Sequence, residues 1–181
     1  AGAAGSVSHR VVVISDLNGP YGSTTYGGEV HAAVARIRDQ WRPDLVLAAG
    51  DLIAGQRPTL PDDTVRAMWA AFDGVVAHPL RAARIPFGFT LGNHDASPYP
   101  AHARDRSLAV THWRSAEQGP LLEFVNGEHY PLYYSFRSGP LFVIAWDAAS
   151  AAATADTAML QWLDAQLAGE AARAAAFRVL L

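Results

Sequence analysis

Three apolar runs of strand length each end at residues that could do chemistry. Val11-Val12-Val13-Ile14-Ser15 leads to Asp16, Leu45 to Gly50 leads to Asp51, and Phe87 to Gly92 leads to Asn93, His94 and Asp95. Ligands of open α/β sheets collect beyond the carboxyl ends of the strands, so these side chains are placed to converge on one site. Asp16, Asp51 and Asn93 carry oxygen donors suited to hard or borderline cations, and a histidine stands beside the last of them. This donor chemistry points to a metal-dependent hydrolase. Each residue alone has a plainer reading, because an Asp after a strand serves as a turn residue or helix N-cap, Asn93 could cap the next helix, and a lone histidine beside an aspartate is commonly structural. The combination carries the weight.

The elements that must position these residues alternate between strand and helix. After the first strand, residues 18–28 hold four glycines and a proline and read as a loop on the active-site side, from which Tyr21 or Tyr26 could reach the site. Glu29 to Trp41 spaces Val30, Val34, Ile37 and Trp41 on one helical face, and Pro43 ends it. The second strand spans 45–50. Pro61-Asp62-Asp63 opens a helix with Val65, Met68, Trp69 and Phe72 inward and acidic residues at its positive end. The third strand spans about 86–91, and a helix is expected from Ser107 to Trp113. Tyr130–Phe136 and Leu141–Trp146 form a hairpin around Arg137-Ser138-Gly139-Pro140. Ala158 to Ala168 is an amphipathic helix with Leu160, Leu163 and Leu167, and Phe177 to Leu181 begins a further strand. Alanine-rich tracts at 148–155 and 171–176 are the only low-complexity segments.

Composition bounds the class. The 181 residues, half of them apolar, suffice for one sizeable core, so a single domain over 1–181 is expected. A net charge of -3 supports no sequence-independent grip on nucleic-acid phosphates, and nucleic acid is not the expected partner. All 14 basic residues are arginine, and cysteine is absent, which excludes thiol catalysis, disulfides and cysteine-ligated zinc. No apolar stretch approaches the roughly 20 residues of a membrane span. The opening Ala1-Gly2-Ala3-Ala4-Gly5-Ser6 lacks an initiator methionine, as after cleavage of a signal peptide. A periplasmic or secreted location is thus expected over a cytoplasmic one, although a trimmed chain reads the same way.

Ser15-Asp16-Leu17-Asn18, Gly50-Asp51-Leu52 and Gly92-Asn93-His94-Asp95 resemble the first three signature blocks of the calcineurin-like metallophosphoesterases, and the last is the most specific. Tyr133-Tyr134-Ser135-Phe136, Phe142 to Asp147 and Gln161-Trp162-Leu163 are similar to the way that family continues, so the resemblance spans nearly the whole chain. It implies an α/β fold, a β-sandwich flanked by helices in α/β/β/α order, incomplete at the C-terminus. It also implies two divalent or trivalent metal ions (Mn, Fe or Zn), with Asp16 on the first, Asp51 bridging both and Asn93 on the second. Two cations about 4 Å apart bind a phosphoryl oxygen and hold a hydroxide in line for attack. His94 then faces the substrate as transition-state stabiliser or proton donor, with Asp95 fixing its tautomer.

Three departures bear on that reading. The family's first block has a histidine where Asn18 stands, and an amide oxygen weakens the first site for soft transition metals. The purple acid phosphatase branch has a tyrosine where this chain has Ala54, so no tyrosinate-iron centre is assigned. The family's later histidine blocks have no counterpart, because no histidine follows His129. A missing C-terminal segment or a second chain is therefore expected to supply imidazole ligands. Arg104, Arg106 and Arg114 read as a solvated helix face in preference to anion ligands, and His102, His112 and His129 as structural. The expected function is hydrolysis of phosphomonoesters or phosphodiesters, on a small molecule or nucleotide. The alternative is a non-catalytic relative that binds a nucleotide or phosphorylated ligand in the same pocket. A P-loop enzyme is excluded in a chain without lysine, and a serine esterase for want of Gly-x-Ser-x-Gly.

Overall fold

The computed structural model describes residues 8–115, 119–147 and 156–181, so the opening residues 1–7 and the alanine tract 148–155 lie outside the described residues. The described strands form two sheets. In the first, β1 (Val11–Ile14), β2 (Leu45–Ala48) and β3 (Phe87–Phe89) run parallel in that order, with Val11 opposite Leu45 and Ala48 opposite Phe89. In the second, β4 (Glu123–Asn126), β5 (Tyr134–Ser138) and β6 (Leu141–Ala145) are antiparallel neighbours, and β7 (Phe177–Leu180) joins β6 in parallel. The helices are α1 (Gly28–Arg36), α2 (Asp62–Phe72), α3 (His78–Ala82), α4 (Asn93–Ala96), α5 (Ala103–Trp113), α6 (Thr157–Ala168) and α7 (Glu170–Ala174).

Period-two alternation sorts the strand side chains into layers. Leu45 and Leu47 meet Tyr134, Phe136, Val143 and Ala145 between the sheets, whereas Val46 and Ala48 face the opposite way, onto Val34, Met68, Trp69 and Phe72 of α1 and α2. Phe142 and Ile144 leave the far side of the second sheet to meet Ala172, with Trp162 and Leu163 packed around them. Every residue of β2 is buried, as parallel strands covered on both faces must be. The α/β/β/α order expected from the sequence is realised.

The two sheets approach closely at Gly88, where an added Cβ would stand 2.6 Å from Phe136 Cζ and 3.0 Å from Leu47 Cδ2. Beside it, β3 is an edge of the first sheet, and the Tyr134 hydroxyl satisfies that edge from the second. It accepts the Phe89 N–H at 2.9 Å and donates to the Phe89 carbonyl at 2.6 Å. Burial holds this phenol far above its ordinary pKa, so it remains a neutral donor and acceptor.

Several boundaries differ from expectation. Helix α1 passes at Ile37–Trp41 into a π-helical turn, closed by the Arg42 N–H on the Ile37 carbonyl, and the wider turn rotates Trp41 out to 47% exposure. The hairpin's first strand starts at Tyr134 instead of Tyr130, since Pro131 has no N–H for the ladder and residues 128–133 turn. Strand β4 carries no sequence signal, because its Glu123-Phe124-Val125-Asn126 is short, mostly exposed and without alternation. Helix α5 begins at Ala103, four residues before the expected start, and α7 occupies part of the 171–176 tract. Helix α6 is capped by the Asp156 carboxylate on the Ala158 N–H as an amphipathic helix should be, yet Leu160 and Leu167 are exposed.

The loops after β2 and β3 are joined by one buried side chain. Asp95 Oδ1 accepts the Leu52 N–H at 2.8 Å and the Ile53 N–H at 2.9 Å, and Oδ2 accepts the Gly92 N–H at 2.8 Å. The last bond is the acidic half of a capping box on α4. Burial pushes the Asp95 carboxyl up to about 7, three amide donors pull it back toward the charged form, and the Asp51 carboxylate raises it.

Both buried contacts can be tested by stability. Tyr134→Phe strands the Phe89 N–H and carbonyl and should cost about 2–4 kcal/mol in urea denaturation; a loss below about 0.5 kcal/mol would mean the β3 edge is satisfied without it. Asp95→Ala orphans three amides and should cost about 3–5 kcal/mol, or prevent folding. Native-like stability in that variant would remove Asp95 as the loop clamp.

Candidate active site

Three adjacent parallel strands deliver their polar residues to one end of the first sheet. The Asp16 N–H donates to the Gly50 carbonyl at 3.2 Å, and the Leu17 N–H donates to the Asp51 carbonyl at 3.0 Å, which ties the β1 and β2 ends together. Gly50, at φ +94°, lies against the β3 end so tightly that an added Cβ would be 2.9 Å from Gly92 Cα. Asp16 (φ 52°) and Asp51 (φ 53°) both sit in the left-handed region. Aspartate tolerates that region better than most residues, and such conformations cluster at functional sites. The turn-residue reading and the ligand reading of these two positions are therefore compatible.

The side chains continue the same assembly. Asp51 Oδ1 accepts the His94 backbone N–H at 3.1 Å, and an added Cβ on Gly92 would fall 2.1 Å from that oxygen. Asn93 is exposed, and its Nδ2 donates to Gln56 Oε1 at 2.9 Å, which orients its own Oδ1 away as an available acceptor. Gln56 escaped the sequence reading. Its only trace there is the preceding Gly55, whose missing side chain admits the His94 carbonyl: an added Cβ would be 2.3 Å from it. Asn18 lies half-buried two residues beyond Asp16, with no described contact joining it to Asp51 or Asn93.

His94 and Asp95 differ from expectation in their relation. Both Asp95 oxygens are taken by backbone amides, and His94 Nδ1 is buried without a hydrogen-bond partner among the described residues. The expected Asp95–His94 hydrogen bond is not made, because Asp95 points toward the β2 loop instead of the imidazole. Of the two loop tyrosines, Tyr21 reaches the site and stacks on the His94 ring at 5.2 Å between centroids, with 19° between planes. Tyr26 serves as an anchor, its hydroxyl donating to the Leu52 carbonyl at 2.6 Å. Ala54 is buried in the core, and its carbonyl accepts the Gly22 N–H at 2.7 Å.

Of the arginines after α4, Arg104 and Arg106 are half-buried and ion-paired instead of forming a solvated face, whereas Arg114 is exposed as expected. Arg104 pairs with Asp105 at 2.8 Å, reaches Asp62 and donates to the Leu60 carbonyl. Arg106 pairs with Asp147 and donates to the Ala96 carbonyl, joining α4 to the end of β6, while Arg114 donates to the Tyr130 carbonyl. His112 stacks on Trp69, and burial lowers its pKa to about 4, which keeps it neutral; His129 stacks on Tyr133, and His102 lies 3.5 Å from Asp105.

For a metal, the residues fit in kind but not in number. Asp16, Asp51 and Asn93 supply the oxygen donors a hard cation takes, and the Gly92 gap keeps the Asp51 carboxylate close against the β3 loop. Among the described residues, however, no group of three or more His, Cys, Asp or Glu is arranged to hold a metal ion. No described helix is long and apolar enough to cross a membrane.

Among solved structures, a purple acid phosphatase, PPD1, from yellow lupin (Lupinus luteus) seeds superimposes with a TM-score of 0.61 at 16% identity, covering 95% of this chain and 29% of that one. TT1561 of Thermus thermophilus reaches a TM-score of 0.37 at 16% identity, covering 77% of this chain and 49% of that one, and no argument rests on it. The chain thus spans under a third of the lupin protein and about half of the bacterial one. The lupin likeness bears on fold alone. No curated protein matches the chain. The calcineurin-like phosphoesterase family matches residues 9–158, most of the sequence and all three strand-end blocks, and the chain belongs to that family.

Proposed function

We propose that this chain carries the phosphate-facing part of a metal-dependent phosphoesterase site, which hydrolyses phosphomonoesters or phosphodiesters at the end of the parallel sheet. The observation that supports it most is the mutual bonding of the three strand ends, Asp16 to Gly50, Leu17 to Asp51 and His94 to Asp51. Asp16, Asp51 and Asn93 would hold the cations, with further donors from outside the described residues. A bound divalent or trivalent ion supplies Lewis acidity toward a phosphoryl oxygen and a lowered pKa for an attacking water. Asp51 enters this work with Oδ1 fixed by the His94 N–H and Oδ2 left for a ligand, and Asn93 enters with its amide held by Gln56. His94 would move its proton at Nε2, toward the leaving oxygen, since Nδ1 is buried.

The second reading, a non-catalytic relative that binds a nucleotide or phosphorylated ligand, is favoured by one observation, the shortage of charged donors for two cations among the described residues. Mutants separate the two. Asp51→Asn keeps an oxygen for the His94 N–H but removes a charge, so metal content and turnover should both collapse. Near-normal turnover with metal bound would sink the assignment of Asp51. His94→Ala should retain metal and lose about 10²- to 10⁴-fold in kcat. Metal lost in step with activity would instead make His94 a ligand.

A further inference from the structure

We propose that Tyr21 is the positioning residue of His94, its ring holding the imidazole in its working orientation through stacking. The inference rests on the reading of His94 given above. Histidines that move protons are commonly oriented by a carboxylate or carbonyl on the second ring nitrogen. No such partner exists for His94 among the described residues. Its Nδ1 is buried and unpartnered, and the adjacent carboxylate of Asp95 is committed to the amides of Leu52, Ile53 and Gly92. What the ring does touch is Tyr21, at 5.2 Å and nearly parallel.

Tyr21 is built to stay there. The Ser23 N–H donates to the Pro20 carbonyl at 2.9 Å, and Gly22 at φ +82° takes the third position of a type II turn, which leaves Tyr21 at the second. The Gly22 N–H then binds the Ala54 carbonyl, Tyr26 binds the Leu52 carbonyl, and an added Cβ on Gly22 would strike Leu60 Cδ2 at 2.9 Å. Residues 52–54 therefore anchor both the Tyr21 turn and the Asp95 clamp that carries His94. Tyr21 itself is 54% exposed and contributes nothing to the core, so its ring is kept for a surface task. Offset-stacked aromatic pairs prefer centroid separations of about 4.5–7 Å, the range occupied here.

The test is NMR of the histidine ring protons in the parent, Tyr21→Ala and Tyr21→Phe proteins, with the His94 signal assigned by its loss in His94→Gln. The His94 signal should carry a ring-current shift that disappears in Tyr21→Ala and persists in Tyr21→Phe, while the other histidine signals stay in place. In parallel, turnover of p-nitrophenyl phosphate with Mn²⁺ should fall on the order of tenfold in kcat at unchanged KM in Tyr21→Ala, and Tyr21→Phe should restore it. A His94 signal indifferent to Tyr21→Ala overturns the proposal. So does a Tyr21→Phe protein as impaired as Tyr21→Ala, since the hydroxyl and not the stack would then be the working part. A parent protein without turnover counts against the phosphoesterase reading alone, and the ring signals still decide this one.

Discussion

The buried Asp95 carboxylate, accepting three backbone amides, is the constraint on which the rest of the site depends. A carboxyl group taken fully out of water is costly unless its lone pairs are occupied, and here donors from two separate loops occupy them. The Leu52 and Ile53 amides come from the turn after β2, and the Gly92 amide from the turn after β3. Neither turn can move without exposing donors that have no other partner among the described residues. That rigidity lets Asp16 and Asp51 persist in left-handed backbone conformations, which cost energy wherever a non-glycine residue adopts them.

Beneath the clamp, the sandwich leaves the polar residues no other place to go. Strand β2 is buried on both faces, so its first polar side chain stands beyond its carboxyl end, at Asp51. Strand β3 is closed against the second sheet by Gly88 and by the Tyr134 hydroxyl, which satisfies an edge that would otherwise need a fourth strand. Helices α1 and α2 on one side and α6 and α7 on the other complete the layers. At the carboxyl ends of these neighbouring strands stand Asp16, Asp51, Asn93 and His94, each exposed or half-buried.

Much of this was legible in the residues. The apolar runs ending at Asp16, Asp51 and Asn93 marked the three strands and the end of the sheet where their polar residues emerge, because a parallel strand covered on both faces is apolar along its length and turns polar where it leaves the sheet. Boundaries were less legible where geometry departs from the regular periods, as in the π turn that swings Trp41 outward, or where a strand such as β4 buries too little to impose alternation. Within the site, sequence adjacency misled at Asp95, since the residue next to His94 is turned toward Leu52 and Ile53, more than forty positions earlier. Gln56 was hidden for the same reason, and so was the stacking of Tyr21 on His94, although Tyr21 itself stood out as a loop residue within reach of the site. Their roles come from contacts across loops, and neither a lone glutamine nor a tyrosine in a glycine-rich stretch carries a periodic signal.

The most direct measurement is hydrolysis of p-nitrophenyl phosphate and bis(p-nitrophenyl) phosphate by protein stripped with chelator, before and after titration with manganese, iron or zinc. The account predicts no turnover in the stripped protein and a saturable return of turnover with at least one cation. Silence with every cation, in protein that still binds inorganic phosphate or a nucleotide, would contradict it and leave a binding module on a phosphoesterase fold.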